Sequence, residues 1–398
     1  MSGAVAAHAA YNGSGTQGLA VTNKIQGNDG DVMSVFWNKN DTTRQLLYGA
    51  SIIEIPTSGN GNSTSLSQIF AVNNDIDAIG DLYLQITAST TRNACVLVTG
   101  FIKRIEFQVG TQIWHTLETY DILSLAATEM TSAAYENFTF NTSGGLLATG
   151  AYQSIPYTSA GITAGSSTSF TGIVKIPSLS RTLGSALAKF SDASENSYLL
   201  AAAPNQAVKI KVTLNAAVTS LKLFGQHIIM CNEERDQIKN MPMGMPKRIK
   251  MTQNVNTALT SQTTTEINLD SFSLYASHFL IQLAETTSTI NLKTVELKLN
   301  SSSYSGEIQG TMLTGSIADS MGLYFNQFYL SGNNVGNHIY IFPFASSAYG
   351  GSSVPLNRFD NIRLLLTFSA SFTGSVYVTC AGETTALYKG GAASLAMY

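Results

Sequence analysis

The sequence is poor in charge. Asp, Glu, Lys and Arg make up 12% of the 398 residues, and the formal net charge is −3. A typical soluble domain has about 25% charged residues. The short basic pairs Lys103-Arg104 and Lys247-Arg248 are isolated, whereas nucleic-acid-binding domains carry a basic patch or stripe. The composition therefore predicts no direct sequence-specific nucleic-acid binding. A surface with so few charges is typical of one that neighbouring subunits cover.

Cysteine and long apolar runs are also scarce. The three cysteines, Cys95, Cys231 and Cys380, have spacings that fit no metal motif, and an odd number fits no complete disulfide framework. Cys380 lies in a predicted strand, where we expect it to be a buried small apolar residue. We expect a reducing compartment during assembly. No apolar run approaches the roughly 18 residues of a membrane-spanning helix, and the N-terminal residues show no signal-peptide pattern.

The missing charge is replaced by Ser, Thr, Asn and Gly, which is the composition of strands and loops rather than of helices. All eight prolines fall at predicted strand ends or in predicted loops, as a sheet protein requires. A chain of this length is too long for one ordinary core, so two domains are expected. The composition thus predicts an all-β protein with two domains.

The stretch Phe101–Met130 carries the clearest local pattern. Apolar and polar residues alternate up to Gly110, which predicts a strand followed by a tight turn, and Gln112–Trp114 continues the strand briefly. From Thr116, the predicted N-cap, the apolar period becomes helical. The residues that recur at this period are Leu117, Tyr120, Leu123 and Ala127. We therefore expect a strand, a turn and then a short helix lying across a sheet edge.

The chain contains an internal repeat. Leu292–Asn300 repeats the pattern of Ile102–Gly110, and Ile362–Phe368 repeats that of Val208–Leu214. Two matches in the same order indicate two similar β domains in tandem. The first unit has more residues between its marker strands, and we attribute them to the long Ser-, Thr-, Gly- and Ala-rich loop Thr131–Ser169. We expect each pair of segments to occupy equivalent positions in the two domains.

About eight predicted strands per unit fit a jelly roll. The predicted domains are an N-terminal arm (1–30), a first jelly roll with the long loop (31–231), a linker helix (232–246) and a second jelly roll (247–398). The predicted strands of the first roll are Asp31–Asn38, Ser51–Pro56, Leu82–Thr87, Val96–Phe101, Val174–Pro177, Tyr198–Leu214 and Leu221–Met230. Those of the second are Lys250–Val255, Glu266–Leu269, Ser277–Leu283, Leu292–Leu299, Leu323–Tyr329, Ile339–Phe342, Ile362–Phe368 and Ser375–Cys380.

No catalytic, cofactor-binding or metal site is predicted. The five histidines, His8, His115, His227, His278 and His338, have no neighbours at metal-ligand spacing. In the linker, Arg235 and Lys239 accompany the acidic residues Glu233, Glu234 and Asp236, which indicates surface ion pairs along a helix. The glycine pairs Gly13/Gly15 and Gly59/Gly61 precede no helix, so they are not phosphate loops. We expect Trp37 and Trp114 to anchor the core.

Seven blocks, taken in order, resemble the double jelly-roll major capsid proteins of nucleocytoplasmic large DNA viruses, virophages and polinton-like viruses. Each block is a strand pattern with particular polar residues, and together they span most of the chain. The blocks are DVMSVFWNKNDTTR, IGDLYLQITAS, FIKRIEFQVGTQIWHTLETYDILSL, YLLAAAPNQAVKIKVTL, CNEERDQIKN, IYIFPFASSAYGGSSVPLNRFDNIRLLLTF and TALYKGGAASLAMY.

This resemblance implies two tandem eight-stranded jelly rolls in a structural, non-enzymatic protein of the virion. Homotrimers would form pseudo-hexagonal capsomers that tile an icosahedral shell beside penton and minor capsid proteins. The arm 1–30 would contact the particle interior or an internal membrane, and the loop Thr131–Ser169 would lie outside. The alternative is a carbohydrate-binding β-sandwich, such as a receptor-binding viral surface protein, which would need exposed aromatics or a calcium cluster. A jelly-roll hydrolase would need paired carboxylates on one sheet face.

Overall fold

A computed structural model of the chain describes residues 48–58, 66–72, 76–88, 101–129, 170–176, 198–201, 203–230, 232, 235–236, 245–285, 290–323, 339–345 and 353–396. Several predicted segments lie outside these ranges. They are the arm 1–30, the strand Asp31–Asn38, all but the last residue of Val96–Phe101, the loop Thr131–Ser169, most of the linker, and all but the first residue of Leu323–Tyr329.

Residues 48–230, called roll 1 from here on, form two antiparallel sheets. One has the order β1-β9-β3-β6, with β7 also paired to β3, and the other has the order β2-β8-β4-β5. Each sheet thus mixes early and late strands, as in a jelly roll. The strands are β1 (Tyr48–Ile55), β2 (Ser67–Ala71), β3 (Ala78–Ala88), β4 (Ile102–Val109), β5 (Gln112–Glu118), β6 (Phe170–Ile176), β7 (Tyr198–Leu199), β8 (Val208–Leu214) and β9 (Ser220–Met230).

The alternation in the sequence sets the faces of these strands. In β8 the apolar residues Val208, Ile210, Val212 and Leu214 are buried, whereas the intervening Lys209, Lys211 and Thr213 are half-buried. This confirms the predicted two-sided strand. The predicted strand Tyr198–Leu214 is interrupted by turns between β7 and β8. Strand β2 was not predicted, because its five residues are too few to show a clear period.

The helix after β5 begins later than predicted. Helix α1 spans Thr119–Glu129, whereas Thr116, the predicted N-cap, lies within β5 and pairs with Glu106. The hairpin of β4 and β5 turns at Gly110, as predicted, and its pairing then continues as far as Glu118 opposite Arg104. Leu117 fits the helical period, but it is also buried opposite Ile105 in the hairpin. Its pairing with β4 therefore keeps this residue in the strand despite the local helical pattern.

Residues 245–396, called roll 2, repeat this architecture with longer strands. The strands are β10 (Met245–Asn268), β11 (Tyr275–Glu285), β12 (Leu292–Leu299), β13 (Ser302–Ser303), β14 (Ile308–Gln309), β15 (Ile339–Pro343), β16 (Val354–Pro355), β17 (Ile362–Lys389) and β18 (Ala392–Ala396). Helix α2 spans Gly315–Ser320, and 3-10 turns occupy Gly310–Leu313 and Leu356–Arg358.

Strands β10 and β17 are long, and each of them contributes to both layers of roll 2. The first part of β10 pairs with the last part of β17, which pairs with β11 and then β15. The last part of β10 pairs with the first part of β17, which pairs with β12 and then β13 and β14. Both orders match those of roll 1, so the fold is two tandem jelly rolls.

The separate strands predicted for Lys250–Val255 and Glu266–Leu269 are therefore parts of one strand, β10, and those predicted for Ile362–Phe368 and Ser375–Cys380 are parts of β17. Register shifts between Leu259 and Thr264 mark the corner where β10 passes from one layer of roll 2 to the other without ending.

The predicted equivalence of the repeated segments is confirmed. Strand β4 pairs with β8 from Ile102↔Leu214 to Val109↔Val208, and β12 pairs with β17 from Leu292↔Phe368 to Leu299↔Ile362. The first pairing shifts register between Ile102 and Arg104, and the second does so at the matching place, between Leu292 and Thr294. The residues after the two strands, Gly110 and Asn300, both have positive φ, 59° and 49°.

Candidate assembly site at the junction of the two rolls

Helix α1 lies between the two rolls. It contacts β4 and β5 of roll 1 and β11 of roll 2, and both its apolar and its short polar side chains are buried. The buried residues are Thr119, Asp121, Ile122, Ser124, Leu125, Ala126, Ala127 and Thr128. The first turn is fixed to roll 1, because the Thr119 hydroxyl donates to the carbonyl of Ile102. A helix that is buried on all sides acts as part of the core rather than as a surface element.

One carboxylate of α1 connects the rolls. Asp121 accepts hydrogen bonds from the Thr379 hydroxyl (Oγ1 to Oδ1, 2.7 Å) and from the Asn254 amide, both in roll 2. It also accepts the backbone N–H of Glu118 (2.8 Å), which precedes the helix. Asp121 thus occupies the position of the acidic residue in a capping box. The same side chain caps the helix of one roll and binds two strands of the other.

The environment of Asp121 changes its acidity. Burial raises the pKa of this carboxyl from 3.8 to about 6, although the hydrogen bonds from Thr379, Glu118 and Asn254 act in the opposite direction. Burial disfavours the charged form, and donors to the carboxylate favour it. Beside this site, Tyr120 of α1 stacks on Tyr377 of β17 with ring centroids 3.7 Å apart.

The C-terminal hairpin of roll 2 packs into roll 1. The Tyr388 ring lies 5.7 Å from that of Tyr198 (centroid to centroid), and both side chains are buried. At the hairpin turn, Asn205 donates its N–H to the carbonyl of Gly391 (3.0 Å). Gln206 accepts the N–H of Ala393 through Oε1 (2.7 Å). Tyr388, Ala386 and Ala393 belong to the same apolar cluster as the interior of roll 1.

The linker is attached to roll 1 by an ion pair that the sequence did not indicate. Arg235 was expected to pair along its own helix, but its Nε and Nη2 donate to the two carboxylate oxygens of Asp77 at 2.5 and 2.8 Å. Asp77 is buried, and the hydrogen bonds to it raise the pKa of the Arg235 guanidinium. Residues 77 and 235 are far apart in sequence, so no helical spacing could have predicted this contact.

Of the other residues considered in the sequence analysis, the tryptophan, the cysteine and the histidines that the structure describes are buried. Trp114 is buried and meets Tyr198 edge to face at 5.3 Å between centroids, which confirms it as a core residue. Cys380 is buried, as predicted. His115, His227 and His278 are buried on separate strands, and burial lowers the pKa of His227. His8, His338, Trp37, Cys95, Cys231, Glu233, Glu234, Lys239 and the glycine pairs 13/15 and 59/61 lie outside the described residues.

Within the described ranges, no group of three or more His, Cys, Asp or Glu side chains is placed to hold a metal ion. No helix in that part of the chain has the length and apolar character needed to cross a bilayer. What the described residues do build is an extensive junction between two domains of one fold, stabilised by apolar packing and a few buried polar contacts.

The structure resembles those of viral capsid proteins. PBCV-1 VP54, fitted into a reconstruction of the virophage Sputnik, superposes with a TM-score of 0.68 at 11% identity, over 89% of this chain and 98% of the other. The Faustovirus major capsid protein gives 0.62 at 8% identity, over 87% and 91%. The Sputnik virophage structure gives 0.51 at 11% identity, over 89% of each chain. No protein-family model and no curated protein sequence matches.

The order of the strands and these superpositions define the class. The chain is a double jelly-roll protein, and its two rolls follow one another with the same strand order. This is the fold that the sequence blocks predicted. At identities of 8 to 12% the likeness establishes the fold, and the function is argued separately below.

Proposed function

We propose that this chain is a major capsid protein, a structural subunit that associates with copies of itself to build an icosahedral viral shell. The observation that carries the proposal is the tandem double jelly roll, shared over about nine-tenths of the chain with PBCV-1 VP54 and with the Faustovirus major capsid protein. Its location is then the virion. The role is structural rather than enzymatic, and assembly rests on shape and apolar burial.

The duplication supports a particular mode of assembly. Two rolls with the same strand order give each subunit two similar lobes, so a closed ring of three subunits has a pseudo-hexagonal outline. Such capsomers tile a surface, with penton and minor capsid proteins completing the shell. The low charged fraction, 12%, is consistent with a surface that neighbouring subunits cover.

The domain division belongs to the same proposal: an arm (1–30), a first roll (31–231), a linker (232–246) and a second roll (247–398). In its support, the last strand of roll 1 ends at Met230 and the first strand of roll 2 begins at Met245. The arm would contact another subunit, a minor capsid protein or an internal membrane on the inner side of the shell. The loop Thr131–Ser169 would lie on the outer side.

Sedimentation combined with electron microscopy of the purified protein tests this function. We expect trimers with a hexagonal outline, each interface burying well over the roughly 1,600 Å² of a standard interface. A chain that sediments only as a monomer at micromolar concentration under native conditions would contradict the proposal.

A further inference from the structure

A cleft of about 400 Å³ opens at one edge of roll 1, where the chain passes from one sheet to the other. Strand β1 pairs with β9 as far as Ile55↔Leu223. Two residues further on, Thr57 forms a bridge with Phe70 of β2, which belongs to the opposite sheet. The start of β9 has thus lost β1 as its neighbour, and the cleft lies in the gap between β9 and β2.

One side chain at this cleft carries a polar group without a partner. Gln68 of β2 lines the cleft and is 6% exposed, and its side-chain amide makes no hydrogen bond to any residue that the structure describes. The next residue on the same face of β2, Phe70, is buried and also lines the cleft. Buried amides in folded proteins almost always have hydrogen-bond partners. The unpaired amide of Gln68 therefore indicates a ligand that enters the cleft.

The other polar side chains of the cleft include groups that donate and accept hydrogen bonds at once. Among the described residues, Thr57, Thr219 and Ser220 line it with hydroxyls, each of which has one O–H donor and two acceptor lone pairs. Glu54 and Lys222 line the cleft with half-exposed side chains and form an ion pair of 3.0 Å. Because these two charges cancel, the lining favours neither an anionic nor a cationic ligand.

These groups match the edge of a neutral sugar ring. Neighbouring hydroxyls on such a ring both donate and accept, as does the carboxamide of Gln68 with its N–H and C=O groups. The apolar side chains of Ile55 and Leu221 line the same cleft and provide a surface for the C–H groups of the ring. Small-molecule sites have volumes of about 300 to 1,000 Å³, so the cleft has room for one ring. A phosphate group, by contrast, would lie beside the carboxylate of Glu54.

We propose that this cleft binds one ring of a neutral saccharide, with the Gln68 amide hydrogen-bonded to two neighbouring hydroxyls of the ring. The hydroxyls of Thr219 and Ser220 contact the ring from the β9 side. The site does not depend on exposed aromatics, because Phe70 is 1% exposed and recognition rests on hydrogen bonds. It gives roll 1 a ligand-binding role that the proposed structural function does not require.

Binding of small sugars to the purified full-length chain tests the site. Saturation-transfer NMR is recorded with glucose, galactose, mannose and N-acetylglucosamine, each alone, and with glycerol and triglycine as a ringless polyol and a peptide. We expect saturable binding of at least one of the four sugars and none of glycerol or triglycine. The methyl glycoside of the bound sugar should bind equally well if the ring is the end of a glycan, and more weakly if the ligand is the free sugar.

Matched variants assign the binding to the cleft. Gln68→Met keeps the size of the side chain but removes the amide, and it should weaken binding about tenfold or more, the effect of losing one or two hydrogen bonds to a buried group. Gln112→Met makes the same change at an exposed glutamine of β5 that does not line the cleft, and it should bind as the wild-type chain does. Unchanged circular dichroism verifies that both variants are folded. Sugar binding that Gln68→Met leaves unaltered, binding of triglycine alone, or a wild-type chain that binds none of the four sugars would overturn the proposed site.

Discussion

Asp121 of the first roll and Thr379 of the second are joined by a hydrogen bond of 2.7 Å between Oγ1 and Oδ1, although 258 residues separate them in sequence. The same carboxylate accepts the Asn254 amide and the N–H of Glu118. A single buried side chain thus caps helix α1 in roll 1 and also binds two strands of roll 2. The relative position of the two rolls is encoded in polar contacts as well as in apolar packing.

Replacing this carboxylate should weaken the junction. Asp121→Ala leaves the buried Thr379 hydroxyl and two half-buried donors, the Asn254 amide and the N–H of Glu118, without their acceptor. We expect the free energy of unfolding to fall by about 2 to 4 kcal/mol. Urea titration followed by circular dichroism measures the change. Asp319→Ala, which removes an exposed carboxylate from α2, should cost less than about 0.5 kcal/mol. Equal effects of the two substitutions would show that Asp121 has no special role.

The acidity of Asp121 predicts a pH dependence. Its pKa is raised to about 6 in the folded chain from an ordinary value of 3.8, so the folded state holds this proton more tightly than the unfolded state does. The contribution of the group to stability is therefore complete below about pH 4 and is lost as the pH rises to about 6. The loss amounts to at most about 3 kcal/mol.

Asp121→Asn is the reference for this measurement, since an amide at the same place does not titrate. We expect the unfolding free energy of the wild-type chain to decline, relative to that of the Asn variant, between pH 4 and pH 6. The difference should then stay constant above pH 7. Parallel pH profiles of the two chains would contradict the assignment to Asp121.

The C-terminal hairpin should stabilise roll 1 although it belongs to roll 2. Tyr388→Ala removes a ring that packs on Tyr198 in the roll 1 cluster, and we expect a loss of about 3 kcal/mol or more. Hydrogen exchange of the amides in β4 and β5 should accelerate, because the roll 1 core that they help to form loses a packed side chain. Leu387→Ala, on the exposed side of the same strand, is the control. Faster exchange confined to roll 2 would contradict this role of the hairpin.

The internal repeat predicts which substitutions the turn after β4 tolerates. Gly110 has φ +59°, and the equivalent position in roll 2 is Asn300 with φ +49°. A side chain at Gly110 would meet nothing closer than 3.5 Å, so only the backbone conformation penalises it. We expect Gly110→Ala to cost about 1 to 2 kcal/mol and Gly110→Asn to cost less, because Asn tolerates the left-handed region. Thermal unfolding checks the ranking, and an Ala variant as stable as the Asn variant would contradict it.

The equivalence of Gly110 and Asn300 also shows what the sequence could reveal. The alternation of β4, β8 and β12 is local, and β8 and β12 each have one buried face, so the repeat and the jelly-roll class were predictable from residue patterns. The corner of β10 was not. Its exposed Ser and Thr residues resemble a loop, and only pairing with β17 keeps them extended. Likewise, nothing local identifies Asp121 as a contact of roll 2, since Asn254 and Thr379 are reached only through the tertiary fold.

Two truncations separate the roles of the arm and the long loop in the proposed capsid protein. Residues 1–30 are small, polar and Gly-rich, a composition from which we expect order only where a neighbour supplies it. Deleting them should leave trimers intact and impair shell assembly. Shortening Thr131–Ser169 should weaken the trimer or alter the outer surface of the particle. Sedimentation reports the trimer, and electron microscopy reports the shells. Loss of the trimer on arm deletion, with no effect of the shortened loop, would contradict the proposed placement of the arm on the inner side of the shell and of the loop on the outer side.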